Sequence, residues 1–157
     1  MKKIIFMIAL FATGIVQNCF GQDTAKKQSG RILSAYYQLK DNLVKSDPDA
    51  AASSAEQLII AIKGIDSISL DEHVRNILLK DANTIAQTND LKLQREKFAT
   101  LSNNMIELAK KIKFTSEPIY QQYCPMKNAS WLSNEQAIKN PYYGSAMLTC
   151  GTVKKTL

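Results

Sequence analysis

The sequence predicts an all-α fold: an up-down antiparallel four-helix bundle with an irregular aromatic- and sulfur-rich C-terminal tail packed on it. Three observations carry this expectation. Apolar residues recur every three or four positions through four separate stretches between residues 30 and 114. Helix-start signals stand between those stretches, at Asp47-Pro48, Ser69 to Glu72 and Asp90. The connections are short, and short connections join antiparallel neighbours.

The four helices follow in order. Ile32, Tyr36, Leu39 and Leu43 share one helical face. Asp47 suits an N-cap and Pro48 the first helical position, so one helix ends there and the next begins. Ala51, Ala55, Leu58 and Ile62 form the second face, with Gly64 as its stop. Ser69-Leu70-Asp71-Glu72 reads as a capping box for a third helix carrying Leu70, Val74, Ile77, Leu78 and Ile85. Asp90 caps a fourth, whose Leu91, Phe98, Leu101, Met105, Leu108 and Ile112 keep a near-heptad spacing. Lys110, Lys111 and Lys113 lie at its C-terminal end, where cations complement the helix dipole.

The segments outside the bundle read differently. Lys2 and Lys3 precede an apolar run from Ile4 to Val16, the pattern of a secretory signal peptide over residues 1–21. Cleavage after Gly21 removes Lys2 and Lys3 and no acid, so the formal charge falls from +6 to +4. Lipidation at Cys19 is the alternative processing. Either route places the chain in a bacterial periplasm, away from nucleic acid, with no transmembrane segment in the mature chain. Residues 22–29 are polar and aperiodic, a flexible lead-in. After Thr115 the helical period stops. Residues 115–157 hold four of the six Tyr, the lone Trp, and Cys124 and Cys150. Ser133 to Ile138 would make one helical turn, and Asn140-Pro141 and Gly144 punctuate the rest.

The chain has 157 residues, 45% hydrophobic and 22% charged, the values of a single globular domain. One His excludes sites that need two imidazoles, and three Cys are too few for a disulfide scaffold or a Cys-only zinc finger. No Ser-His-Asp, Cys-His or paired-carboxylate spacing appears, so no enzyme is expected. The remaining chemistry is sulfur. Cys124 and Met126 flank Pro125, and Met147 and Cys150 are one helical turn apart. Thiolate and thioether are soft ligands suited to Cu(I) or Ag(I). His73 would add an imidazole if its helix faces the tail. The competing readings are a disulfide between Cys124 and Cys150, two free thiols, and Met126 and Met147 as fillers of the core. The Tyr36-Tyr37 and Tyr142-Tyr143 pairs read as a packing seam.

Four islands carry a resemblance: Tyr123-Cys124-Pro125-Met126, Trp131-Leu132-Ser133, Ile138 to Gly144 and Met147 to Gly151. Together they resemble the signature of an uncharacterised exported bacterial domain, rich in Bacteroidetes. That domain also occurs at the C-terminus of CusB-type heavy-metal efflux periplasmic adaptor proteins. Tyr36 to Asp41 and Arg95 to Ser102 echo its helical part more weakly. The spacer Lys127 to Ser130 is shorter than in many relatives. The resemblance implies a link to copper, silver or related metals, with a metal ion and a heavy-metal efflux adaptor or another periplasmic protein as partners.

Overall fold

The computed structural model describes residues 20–65 and 70–157, with side chains from residue 28 onward. The signal-peptide reading therefore falls mostly on residues outside those described. Four helices come first: α1 (Phe20–Lys45), α2 (Pro48–Lys63), α3 (Glu72–Ala86) and α4 (Leu91–Lys111). Each packs on the next in the chain. No helix among the described residues is long and apolar enough to cross a membrane.

The helical faces read from the sequence form most of the core; Val74, Leu91 and Ile112 are only partly buried against it, and Ile77 lies outside it. Ile32, Tyr36, Leu39 and Leu43 of α1, Ala51, Ala55, Leu58 and Ile62 of α2, Leu78 and Ile85 of α3, and Phe98, Leu101, Met105 and Leu108 of α4 are all buried. Asp47 caps α2, its carboxylate accepting from Ala50 N at 3.0 Å. Asp90 caps α4 in the same way through Lys92 N at 2.9 Å. The third cap differs from the expected capping box. Asp71 is the N-cap of α3 and accepts from His73 N and Val74 N, whereas Ser69 lies outside the described residues. Asp71 is one residue from the helix, within reach of the orphan N–H groups. The expected lead-in at 22–29 belongs to α1, which runs unbroken from Phe20.

The fold is not purely α-helical. The tail contains β1 (Tyr120–Cys124), β2 (Ala129–Ser133) and β3 (Thr152–Thr156), an antiparallel sheet in the order β2-β1-β3. Tyr120 faces Ser133 and Cys124 faces Ala129 across β1 and β2. Tyr123 faces Thr152 across β1 and β3, with an irregularity between Gln121 and Gln122. The expected helical turn at Ser133 to Ile138 does not form. Ser133 ends β2, and the side-chain amide of Gln122 donates to the carbonyls of Glu135, Gln136 and Ala137, holding that segment as a loop. The one helical piece of the tail is a 3-10 turn at Gly144–Met147.

A run of rings joins the sheet to the helices, the seam expected from the paired tyrosines. Tyr36 stacks on Phe98 with centroids 5.3 Å apart, Phe98 meets Tyr142 at 5.9 Å, and Tyr142 meets Trp131 edge-on at 5.8 Å. Contacts of this kind add about 0.5–1.5 kcal/mol each beyond the area they bury. The Tyr142 hydroxyl donates to the Ser130 carbonyl at 2.6 Å, which fixes the 140s loop against β2.

Candidate functional site

The site begins with two strand ends. Cys124 is the last residue of β1, and its side chain faces the core like that of Gln122, two positions earlier. Cys150 lies just before β3, the strand paired with β1. The pairing brings the two sulfurs to 3.8 Å. Both are free thiols, Cys124 buried and Cys150 half-buried.

Met126 and Met147 sit on turns at either side. Met126 is in the β1–β2 turn, whose geometry is set by Asn128 at φ 52°. The Tyr123 hydroxyl donates to Asn128 Oδ1 at 2.8 Å and steadies that turn. Met147 closes the 3-10 turn, and its carbonyl accepts from Cys150 N at 3.1 Å. The two sulfur-bearing segments read from the sequence are thus adjacent in space. Burial and the neighbouring Cys124 thiol push the Cys150 thiol upward, and the Met126 N–H works against them.

His73 is not part of this arrangement. It is exposed at the start of α3, its backbone N–H donates to Asp71, and α3 packs on α2 and α4. Among the described residues, no group of three or more His, Cys, Asp and Glu side chains forms a metal-holding cluster.

The tail islands also hold residues whose work is architectural. Asn140 donates through Nδ2 to the Cys150 carbonyl at 2.8 Å and accepts at Oδ1 from Tyr142 N at 2.9 Å. Its own N–H donates to the Leu148 carbonyl at 2.8 Å, so Asn140 shapes the loop that delivers Cys150. Gly144 has φ 56°, and a Cβ there would lie 2.6 Å from Ser46 Oγ and 2.8 Å from Arg95 Nη2. Arg95 of α4 donates to the Pro141 carbonyl at 2.9 Å, the Leu43 carbonyl at 3.0 Å and Ser46 Oγ at 2.8 Å. It ties the end of α1 to the tail loop. Gly151 has φ 155°, and a Cβ would lie 2.9 Å from the Tyr123 carbonyl. Asn140-Pro141 and the glycines signal turns in the sequence, but nothing there links Arg95 or Gln122 to the tail.

A separate cavity of about 560 Å³ lies between α1 and the segment after α4, lined by Leu33, Tyr37, Phe114 and Pro118 among others. Neither cysteine borders it.

A family model described as "Protein of unknown function (DUF3347)" matches residues 32–117, more than half of the chain. The match covers the second half of α1 and all of α2, α3 and α4 and stops before the sheet, so the islands around Cys124 and Cys150 lie beyond it. No curated protein and no solved structure matches the chain.

Proposed function

The chain belongs to the DUF3347 family of proteins of unknown function, and from that premise we propose that it is a non-enzymatic binding protein for a soft metal ion, Cu(I) or Ag(I). One observation carries this reading: the free thiols of Cys124, at the end of β1, and Cys150, two residues before β3, stand 3.8 Å apart. Metal–thiolate bonds of about 2.3 Å at a tetrahedral angle put two sulfurs roughly 3.8 Å apart. The pair therefore needs little rearrangement to share an ion. Met126 and Met147 would complete the shell with neutral thioethers, which suits a monovalent soft cation. His73 has no part in it. In this reading the four helices form an up-down bundle that serves as a scaffold. The protein would be exported to a periplasm and buffer the metal there, or assist an efflux system such as those with CusB-type adaptors.

Native mass spectrometry of the reduced protein with Cu(I) tests this. One copper per chain, lost in Cys124→Ser, is the expected result. Stoichiometric binding that survives the double substitution Cys124→Ser and Cys150→Ser would sink the proposed ligand set.

The same separation favours a second reading, a structural or interaction module stapled by a disulfide. The sulfurs would need to close from 3.8 Å to the bond length of about 2.05 Å. Linking residues 26 apart would contribute roughly 3.5 kcal/mol in the chain-entropy model. A mass two hydrogens below the reduced chain, with no copper uptake after gentle reduction, would favour this staple over the metal site.

A further inference from the structure

We infer that the end of the sheet beside the two sulfurs is a docking face for an acidic protein that presents its own thioether or thiolate ligands and exchanges the ion with this chain. The inference rests on the metal reading above and names the partner of that same site. The first support is the distribution of exposed apolar side chains. Met126, Met147 and Leu148 are exposed to 65%, 39% and 40%, and Ile60 on α2 is the one other large hydrophobic so exposed among the described residues. Three of these four therefore stand on the two turns that flank the thiol pair. Clustered exposed apolar residues mark interaction surfaces, and flexible Met side chains adapt to a partner.

Charge supplies the second support. Residues 118–157 contain one acid, Glu135, against Lys127, Lys139, Lys154 and Lys155. Glu135 is paired with Lys139 at 2.5 Å. Lys127 lies in the Met126 turn, and Lys154 extends over the Tyr123 ring at 4.9 Å from its centroid, one residue from Cys124. Neither has a carboxylate partner among the described residues. The segments bearing the sulfurs thus offer apolar contact edged by positive charge, and the complement is an acidic surface.

Access supplies the third. Cys124 is buried and Cys150 half-buried, so an ion held between them is reached from the Cys150 side, where Met147 and Leu148 stand. Ligand exchange would go through that side: a partner sulfur bonds to the ion as one of this chain's sulfurs leaves, with no change of oxidation state. Soft ligands on the partner keep the ion coordinated throughout.

Two synthetic peptides of equal length test the face. Both carry the same Met-x-x-Met core and are loaded with Ag(I), which avoids oxidation. One is flanked by Asp and Glu, the other by Lys. Uptake is followed by the ultraviolet absorption of the silver–thiolate bond. The acidic peptide is expected to deliver its ion at least about tenfold faster at low ionic strength, an advantage that salt removes. In the double variant Lys127→Glu and Lys154→Glu, both exposed positions, the preference should reverse, while uptake from silver nitrate stays unchanged. Equal rates from both peptides, or a preference that the double variant keeps, would overturn the docking face and leave the metal site standing. A chain that takes no Ag(I) from silver nitrate overturns the metal reading and the docking face together.

Discussion

The hydroxyl of Tyr36 accepts a hydrogen bond at 3.1 Å from the backbone N–H of Leu132, ninety-six residues further along the chain. The same hydroxyl lies 2.7 Å from Ser102 Oγ. One buried atom therefore joins α1, α4 and β2. Tyr36→Phe leaves the Leu132 N–H without its side-chain partner, and a loss of about 1–3 kcal/mol is expected. Urea denaturation of the variant, at unchanged slope, measures it.

Burial raises the ionisation of Tyr36, Tyr37 and Tyr142 above the ordinary phenol value of 10.0. The folded state keeps protons that the unfolded state gives up, so the sign is fixed. The stabilisation is complete below pH 10 and drains away as pH rises from there toward the folded values. Melting temperature should be insensitive to tyrosine ionisation below about pH 9 and fall steeply above about pH 10. Absorbance at a phenolate wavelength should show these three titrating only as the protein unfolds.

Gly144 is fixed by space as much as by backbone angle. Gly144→Ala combines a left-handed φ with a methyl group 2.6 Å from Ser46 Oγ. The expected cost is about 2–4 kcal/mol, read from thermal unfolding. Gly64→Ala is the control. A Cβ there meets its nearest atom at 3.4 Å, at the edge of ordinary contact, so it should change stability far less.

Arg95→Lys keeps the charge and loses the fork. A single ammonium cannot reach the Pro141 and Leu43 carbonyls and Ser46 Oγ together in this geometry. Stability should drop by about 1–3 kcal/mol. Hydrogen exchange should quicken first in the 140s loop, because its anchor to α4 is the part removed.

On the proposed metal reading, Cu(I) binding should weaken as pH falls. Both thiols must lose protons to act as ligands, and Cys150 holds its proton more tightly than an ordinary thiol. Below the thiol values, the apparent affinity should drop by up to about a hundredfold per pH unit, two protons being displaced. Competition against a Cu(I) chelator at three pH values gives the slope. A pH-independent affinity would contradict ligation by the thiol pair.

The helices were legible because their burial repeats with the helical period. Ile32, Tyr36, Leu39 and Leu43 are apolar in the sequence and buried in the fold. The strands lacked the matching signal. β1 turns Gln122 and Cys124 inward, and a buried Gln does not look like a core residue. β3 is mostly exposed and has one apolar residue, Val153, among Thr and Lys. Only tertiary pairing makes these segments strands. The proximity of Cys124 and Cys150 was readable as chemistry but not as geometry, since it depends on β3 returning beside β1. The exclusion of His73 follows from where α3 packs, which local spacing does not encode.

Among the described residues, the order β2-β1-β3 leaves one side of β3 without a neighbouring strand. Lys154 and Lys155 occupy that strand. An unpaired strand is a template on which a second copy can zipper, and repelling ammonium groups discourage such stacking. The lysine pair therefore bears on solubility: replacing both with Val or Thr would turn the border of the sheet into a seed for fibre growth.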